Sequence, residues 1–143
     1  MKSMNSLFYR LTAILAFASM LMLSQAANAG GAYSSFAVGQ TILTKNTAYY
    51  DYFPVIGSPP STGPLTSVSW SYGFSSRPAG LLVYLCQTGI GCLDVTSYGS
   101  GTTTAFNTAG GHPNGQFFLY YGVNGSGGMS PVYSNNNNVI VNW

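Results

Sequence analysis

The sequence predicts an all-β fold, a small antiparallel β-sandwich or barrel that forms a single domain over residues 30–143. Three observations predict it. "SVSWSYGF" alternates Val68, Trp70, Tyr72 and Phe74 with Ser67, Ser69, Ser71 and Gly73, the period-two pattern of a half-buried antiparallel strand. Turn chemistry recurs at short intervals in "GSPPSTGP" (57–64), "SSRPAG" (75–80), "NTAGGHPNG" (107–115) and "NGSGG" (124–128). Beyond residue 29 no segment carries the apolar period of a helix, and frequent turns between short strands favour a sandwich or barrel.

Taken in chain order, Ser35 to Lys45 is a weak strand candidate and Ser67 to Phe74 the clearest one. Trp70 is the large residue of that best strand. It is expected inside, among Val68, Tyr72 and the aromatics of Phe117 to Tyr121. "GLLVYL" and "LDV" flank a Gly-bearing loop and predict a hairpin. Thr102 to Phe106 is a weaker candidate. Gln116 to Val123, "QFFLYYGV", carries large residues on both faces and predicts a central strand. Pro131 to Ser134 is again weak. "VIVNW" closes the chain with Val139, Val141 and Trp143 on one side. The run Ser134 to Asn138, "SNNNN", is expected to be a solvated loop or bulge.

The first 29 residues read as an export signal. Lys2 and Arg10 are basic, Leu11 to Leu23 is apolar except for Thr12 and Ser19, and Ala27-Asn28-Ala29 offers a small-x-small site. That order predicts a signal peptide cleaved after Ala29. The apolar run is shorter than the roughly 20 residues a membrane span requires, and no second run follows. Stable membrane insertion is therefore not expected.

Charge narrows the partners. Residues 30–143 hold Lys45, Asp51, Arg77 and Asp94, and the formal net charge of +2 comes from Lys2 and Arg10. A neutral domain with two basic residues cannot supply the several phosphate contacts that nucleic acid requires. Disorder is also disfavoured, because aromatics make up 15 % of the chain and disorder goes with low hydrophobicity.

Cys86 and Cys92 are the only cysteines. In an exported protein a cysteine pair usually forms a disulfide, and opposed residues of an antiparallel pair lie within disulfide reach. A zinc site needs four ligands and only His112 could join the pair. A redox dithiol shows two intervening residues, and five separate these. The pair is read as a structural clamp, with no metal and no cofactor expected.

Acid–base catalysis needs titratable groups within reach of one another. Beyond the signal these are Asp51 in "YYDYF", Asp94 in a strand and His112 in a turn. Nothing local pairs the carboxylates as in a glycosidase, and no Gly-x-Ser-x-Gly elbow is present. No enzymatic activity and no catalytic residue are expected.

"PAGLLVYLC", a second cysteine soon after it, "SGTTTAF" and the terminal "NVIVNW" stand in the order seen in the flagellar accessory protein FlhE family. The sequence resembles that family from about Gly63 to Trp143, and more thinly over 30–60. It departs from it in being poorer in charge and richer in Tyr, Asn and Gly. The resemblance implies a non-enzymatic periplasmic protein of flagellum biogenesis. It would act as a chaperone or regulator on rod or filament components or on the export gate, including control of proton leak. Its partners would be flagellar structural or export-gate proteins.

A second reading rests on the aromatics. Tyr and Trp exposed on a sheet stack on sugar faces, so "TAYYDYF" (47–53), Tyr98, Tyr120 and Tyr133 are candidates for an exported carbohydrate-binding or surface-matrix module. A neutral surface must hold any partner through short-range contacts, since steering requires charge. A bare strand edge or an aromatic patch can provide them, and Tyr49, Tyr50 and Tyr52 mark the candidate surface.

Overall fold

The computed structural model describes residues 30–143, so the expected signal peptide and its cleavage after Ala29 lie outside the described residues. Eight strands follow one another: β1 (Ala32–Val38), β2 (Tyr49–Tyr52), β3 (Ser67–Ser71), β4 (Leu81–Gln87), β5 (Gly91–Asp94), β6 (Ser100–Thr103), β7 (Phe117–Val123) and β8 (Asn136–Asn142). They form two four-stranded sheets, ordered β1-β8-β3-β6 (sheet I) and β2-β7-β4-β5 (sheet II), with every pairing antiparallel. The architecture is a β-sandwich.

Alternation in the sequence decides which side of each strand is dry. In β1 the residues Tyr33, Ser35 and Ala37 are buried and their neighbours exposed; in β7 Phe117, Leu119, Tyr121 and Val123 are buried. Sheet I sends Tyr33, Val68, Trp70, Val139 and Val141 inward, and sheet II sends Leu81, Val83, Leu85 and the four β7 residues to meet them. Loops close the ends with Ile42, Phe53, Leu65, Val95 and Val132, and a short helix adds Phe106. Each large apolar side chain taken fully out of water contributes roughly 1.5–3 kcal/mol. Trp70 is buried as expected. Its Nε1 donates to the Tyr98 carbonyl at 3.1 Å, and its ring lies over Gly101, where a Cβ would come within 2.6 Å of Cζ2.

Several sequence expectations shift in position. The strongest strand ends at Ser71, although Tyr72 N still donates to the Gly99 carbonyl. Phe74 joins Ser134 only through an isolated bridge, and Ile42 joins Val132 in the same way. The weak candidate at Ser35 to Lys45 is a strand only over Ala32–Val38. Thr102 to Phe106 divides: β6 ends at Thr103, and a short helix α1 (Ala105–Thr108) seats Phe106 in the core. Tyr49–Tyr52 is a strand although no alternation announces it.

The Asn run is not a solvated loop. Asn136, Asn137 and Asn138 belong to β8, paired with Val38, Ala37 and Phe36 of β1. Asn137 is fully buried, and its Nδ2 donates to Asp51 Oδ2 at 2.7 Å. The Tyr121 hydroxyl donates to the same oxygen at 2.7 Å, and the Gln40 amide reaches Oδ1 at 3.5 Å. A buried polar group is tolerated when it is hydrogen-bonded. This cluster ties β8 of sheet I to β2 and β7 of sheet II and satisfies the Asn137 amide nitrogen, while the buried Asn137 Oδ1 has no partner among the described residues.

Candidate functional site

The cysteines lie opposite each other in the β4–β5 hairpin, with Cα atoms 4.0 Å apart, and are joined as a disulfide. Val95 N donates to the Val83 carbonyl, which makes Val83–Val95 a hydrogen-bonded pair. Alternation then places Cys86–Cys92 at a non-hydrogen-bonded position, where opposed Cα atoms approach most closely. The turn between them is made by Gly89 at φ +77°. The clamp is structural.

That disulfide lies at one end of an aromatic face. The outward positions of sheet II fall into two rows that cross its strands. In the first, Tyr50 of β2, Tyr120 of β7, Tyr84 of β4 and Asp94 of β5 are in register. Its ring centroids are 5.4 Å apart for Tyr50–Tyr120 and 5.8 Å for Tyr84–Tyr120. In the second, Tyr52, Phe118, Cys86 and Cys92 are in register, with 5.1 Å between the Tyr52 and Phe118 rings. Tyr50 and Tyr52 also face each other along the edge at 6.3 Å, with planes 15° apart.

Tyr50 and Tyr52 are 42 % and 53 % exposed, so this edge of the array is open to water. Tyr49 lies on the other side of β2, because successive strand residues alternate. It stacks on Tyr121 at 6.0 Å, and its phenol oxygen accepts from Leu43 N, which lowers its pKa. Tyr98 and Tyr133 are exposed but lie in loops, outside both rows. Composition alone does not single out Phe118 and Tyr84. Strand alternation does: each sits at the position in its strand opposite to the core residues.

A second surface is the free edge of sheet I. Gly31 and Trp143 exchange both backbone hydrogen bonds. By alternation Tyr33, Ser35 and Ala37 also bond to β8, and the N–H and C=O groups of Ala32, Ser34, Phe36 and Val38 point away from it. No strand pairs with that side among the described residues. The edge carries no charge and no proline, the usual guards, and Phe36 and Val38 beside it are 67 % and 83 % exposed. The edge of β2 is shorter, and its Tyr50 carbonyl already accepts from the Gln40 amide at 2.6 Å.

The ionisable groups are scattered. Asp51 points into the sandwich from β2, whereas Asp94 lies on β5 at the opposite edge of sheet II. Burial raises the Asp51 pKa against the hydrogen bonds from Tyr121, Gln40 and Asn137, and burial and Asp51 together raise that of Tyr121. Asp94 is held below the ordinary carboxylate value by hydrogen bonds from Thr96. His112 pairs with Asn114 Oδ1 at 2.7 Å in the loop before β7. Among the described residues no three His, Cys, Asp or Glu side chains are grouped to hold a metal, and no helix is long and apolar enough to cross a membrane.

The model of the family described as flagellar protein FlhE matches residues 45–143. The chain belongs to the FlhE family. A solved structure, described as the crystal structure of FlhE, superimposes with a TM-score of 0.67 at 26 % identity. That match covers 80 % of this chain and 96 % of the other. No curated protein matches the chain. The family match begins at Lys45 and so takes in β2, which the sequence resemblance covered only thinly. It leaves out β1, the strand with the bare edge.

Proposed function

We propose that this member of the FlhE family is a non-enzymatic accessory protein of the periplasm. It would be exported by a signal peptide cleaved after Ala29, and would act as a chaperone or regulator of flagellum biogenesis. Its clients are flagellar rod or filament components or segments of the export gate, and proton leak through that gate falls under the same control. The observation that carries the reading is the bare β1 edge on a member of this family. An extended client segment can add to such an edge as a further strand, with main-chain hydrogen bonds giving affinity.

The neutral surface supports this mode, since little long-range field exists to steer a charged partner. Capture of flagellar subunits should change little between low and high salt. Ser34→Pro is the sharper test, because the Ser34 N–H points to the free edge and proline is tolerated at such positions. The variant should fold, keep its disulfide and lose its clients, and a deletion strain should show disturbed flagellar assembly without loss of export. Normal flagella in the deletion strain, or full client capture by Ser34→Pro, would refute the reading.

A further inference from the structure

The outer face of sheet II is a different surface from the β1 edge, and its chemistry points to a different ligand. We propose that Tyr50, Tyr120 and Tyr84, with Tyr52 and Phe118 beside them, form a binding platform for a single chain of neutral β-linked pyranose sugars. The first three rings lie in one row across three strands, with centroids 5.4 and 5.8 Å apart. Adjacent strands fix that spacing at about 4.7–4.9 Å between backbones, so successive rings can each meet the C–H face of one sugar in a chain.

Charge favours a neutral ligand. None of the five rings has a charged residue between it and the next, and Asp94 stands only at the end of the row. Polar groups for sugar hydroxyls are at hand. A cleft of about 90 Å³ adjoins Tyr120 and Leu82 and is lined by Asn46, Thr47 and Asn124. The hydroxyls of Tyr49, Tyr72 and Tyr121 are spent in hydrogen bonds. Those of Tyr50, Tyr52, Tyr84 and Tyr120 make none among the described residues.

The same face is ill suited to one common way of holding a peptide. The β2 edge beside it is short, and its Tyr50 carbonyl is already taken by the Gln40 amide, which disfavours addition of a peptide strand there. The rings are also tilted to one another, by 57° for Tyr50–Tyr120 and 46° for Tyr84–Tyr120. A twisted row suits one mobile chain better than the flat surface of a crystalline polysaccharide.

The test is titration of the protein purified from expressing cells with chitohexaose and, separately, cellohexaose, followed by aromatic NMR resonances. Those of Tyr50, Tyr84 and Tyr120 should move, with the same affinity at low and high salt. Tyr50→Ala should weaken binding tenfold or more, Tyr120→Phe should retain most of it, and Phe36→Ala on the other sheet should change nothing. Binding of chitohexaose alone would assign an N-acetylated sugar chain, and of cellohexaose alone a plain hexose chain; either supports the platform. Three outcomes would overturn it: no shift with either probe, equal weakening by Phe36→Ala, or loss of a protein client rather than sugar in Tyr50→Ala. Ser34→Pro should keep sugar binding while losing clients, so the two proposals fail separately.

Discussion

The outer face of sheet I presents Ser34, Ser69, Ser71, Thr102, Asn138 and Asn142, with Phe36, Val38 and Ile140 scattered among them. The outer face of sheet II presents Tyr50, Tyr52, Leu82, Tyr84, Phe118 and Tyr120. Both are the solvent side of a four-stranded antiparallel sheet. On sheet I the polar groups satisfy one another: Ser69 with Thr102 at 2.8 Å, Asn138 with Ser34 at 2.9 Å, and Asn142 with Ser67 at 3.1 Å. On sheet II the rings touch one another but leave apolar area to water, and contiguous exposed apolar patches mark binding surfaces. One sheet is complete as it stands at its face and open at its edge. The other is guarded at its edge and open at its face.

That contrast requires the two sheets to stay clamped together, and the largest expected effect comes from breaking their common interior. Trp70→Ala removes the indole that covers Gly101 and bonds to Tyr98. It should destabilise the domain by about 3–5 kcal/mol, as large-to-small core changes do, enough to unfold a domain of ordinary stability. Denaturant unfolding measures it. A change under about 1 kcal/mol would mean that Trp70 is not a core residue.

Next is the disulfide, which belongs to the aromatic face alone. Replacing Cys86 and Cys92 together by Ser should cost about 2–2.5 kcal/mol, because the loop it closes in the unfolded chain is short. Thiol titration of the denatured, unreduced protein should find no free cysteine. In the double variant the resonances of Tyr84, Tyr120 and Phe118 should shift while those of Phe36 stay in place. Equal disturbance of both faces would erase the distinction between them.

The fold class is legible in the sequence because alternation is a matter of residue spacing. Val68 and Trp70, or Phe117 and Leu119, announce their inward face by standing two positions apart. The cysteine clamp is legible for a related reason, since residues flanking a short Gly-bearing loop must oppose each other. The asparagine run is not. Asn137 is buried because Asp51 and Tyr121, distant in sequence, meet it across the sandwich, and no local pattern carries that. The aromatic face is half legible. "TAYYDYF" stands out by its composition, but which of its tyrosines face water depends on the register of β2 on β7, and Tyr49 shares the Asp51 side.

A smaller effect probes the rings themselves. Tyr50→Ala combined with Tyr52→Ala should cost about 1 kcal/mol or less, the range of cross-strand aromatic pairs on a sheet. Phe36→Ser, exposed and without a ring neighbour, should cost less still. Urea midpoints for the two variants decide the matter. A loss above about 3 kcal/mol in the tyrosine variant would make the platform part of the core rather than a surface held open for a ligand.

The smallest expected effect separates the two acidic side chains by pH. Asp51 and Asp94 are the only ones in the chain, so their titration can be read without competition from other carboxylate side chains. Burial raises the folded pKa of Asp51 above its ordinary value of 3.8, whereas the hydrogen bonds from Thr96 lower that of Asp94 below it. Above 3.8 the folded state therefore binds more protons at Asp51 than the unfolded state does. Stability from that residue is fully present below 3.8 and is lost as pH rises through the folded pKa. For Asp94 the sign is reversed: its contribution is present above 3.8 and is lost as pH falls through the lowered value. Acidification from neutrality should thus raise the melting temperature until about pH 3.8 and lower it beyond. Asp51→Asn should flatten the first limb and leave the second, and Asp94→Asn the opposite. A melting temperature that does not rise on acidification, with a fall below about pH 3.8 that Asp51→Asn makes shallower, would mean that the hydrogen bonds from Tyr121 and Asn137 outweigh burial at Asp51. The link between the two sheets would then rest on a buried carboxylate whose charge its hydrogen bonds fully offset.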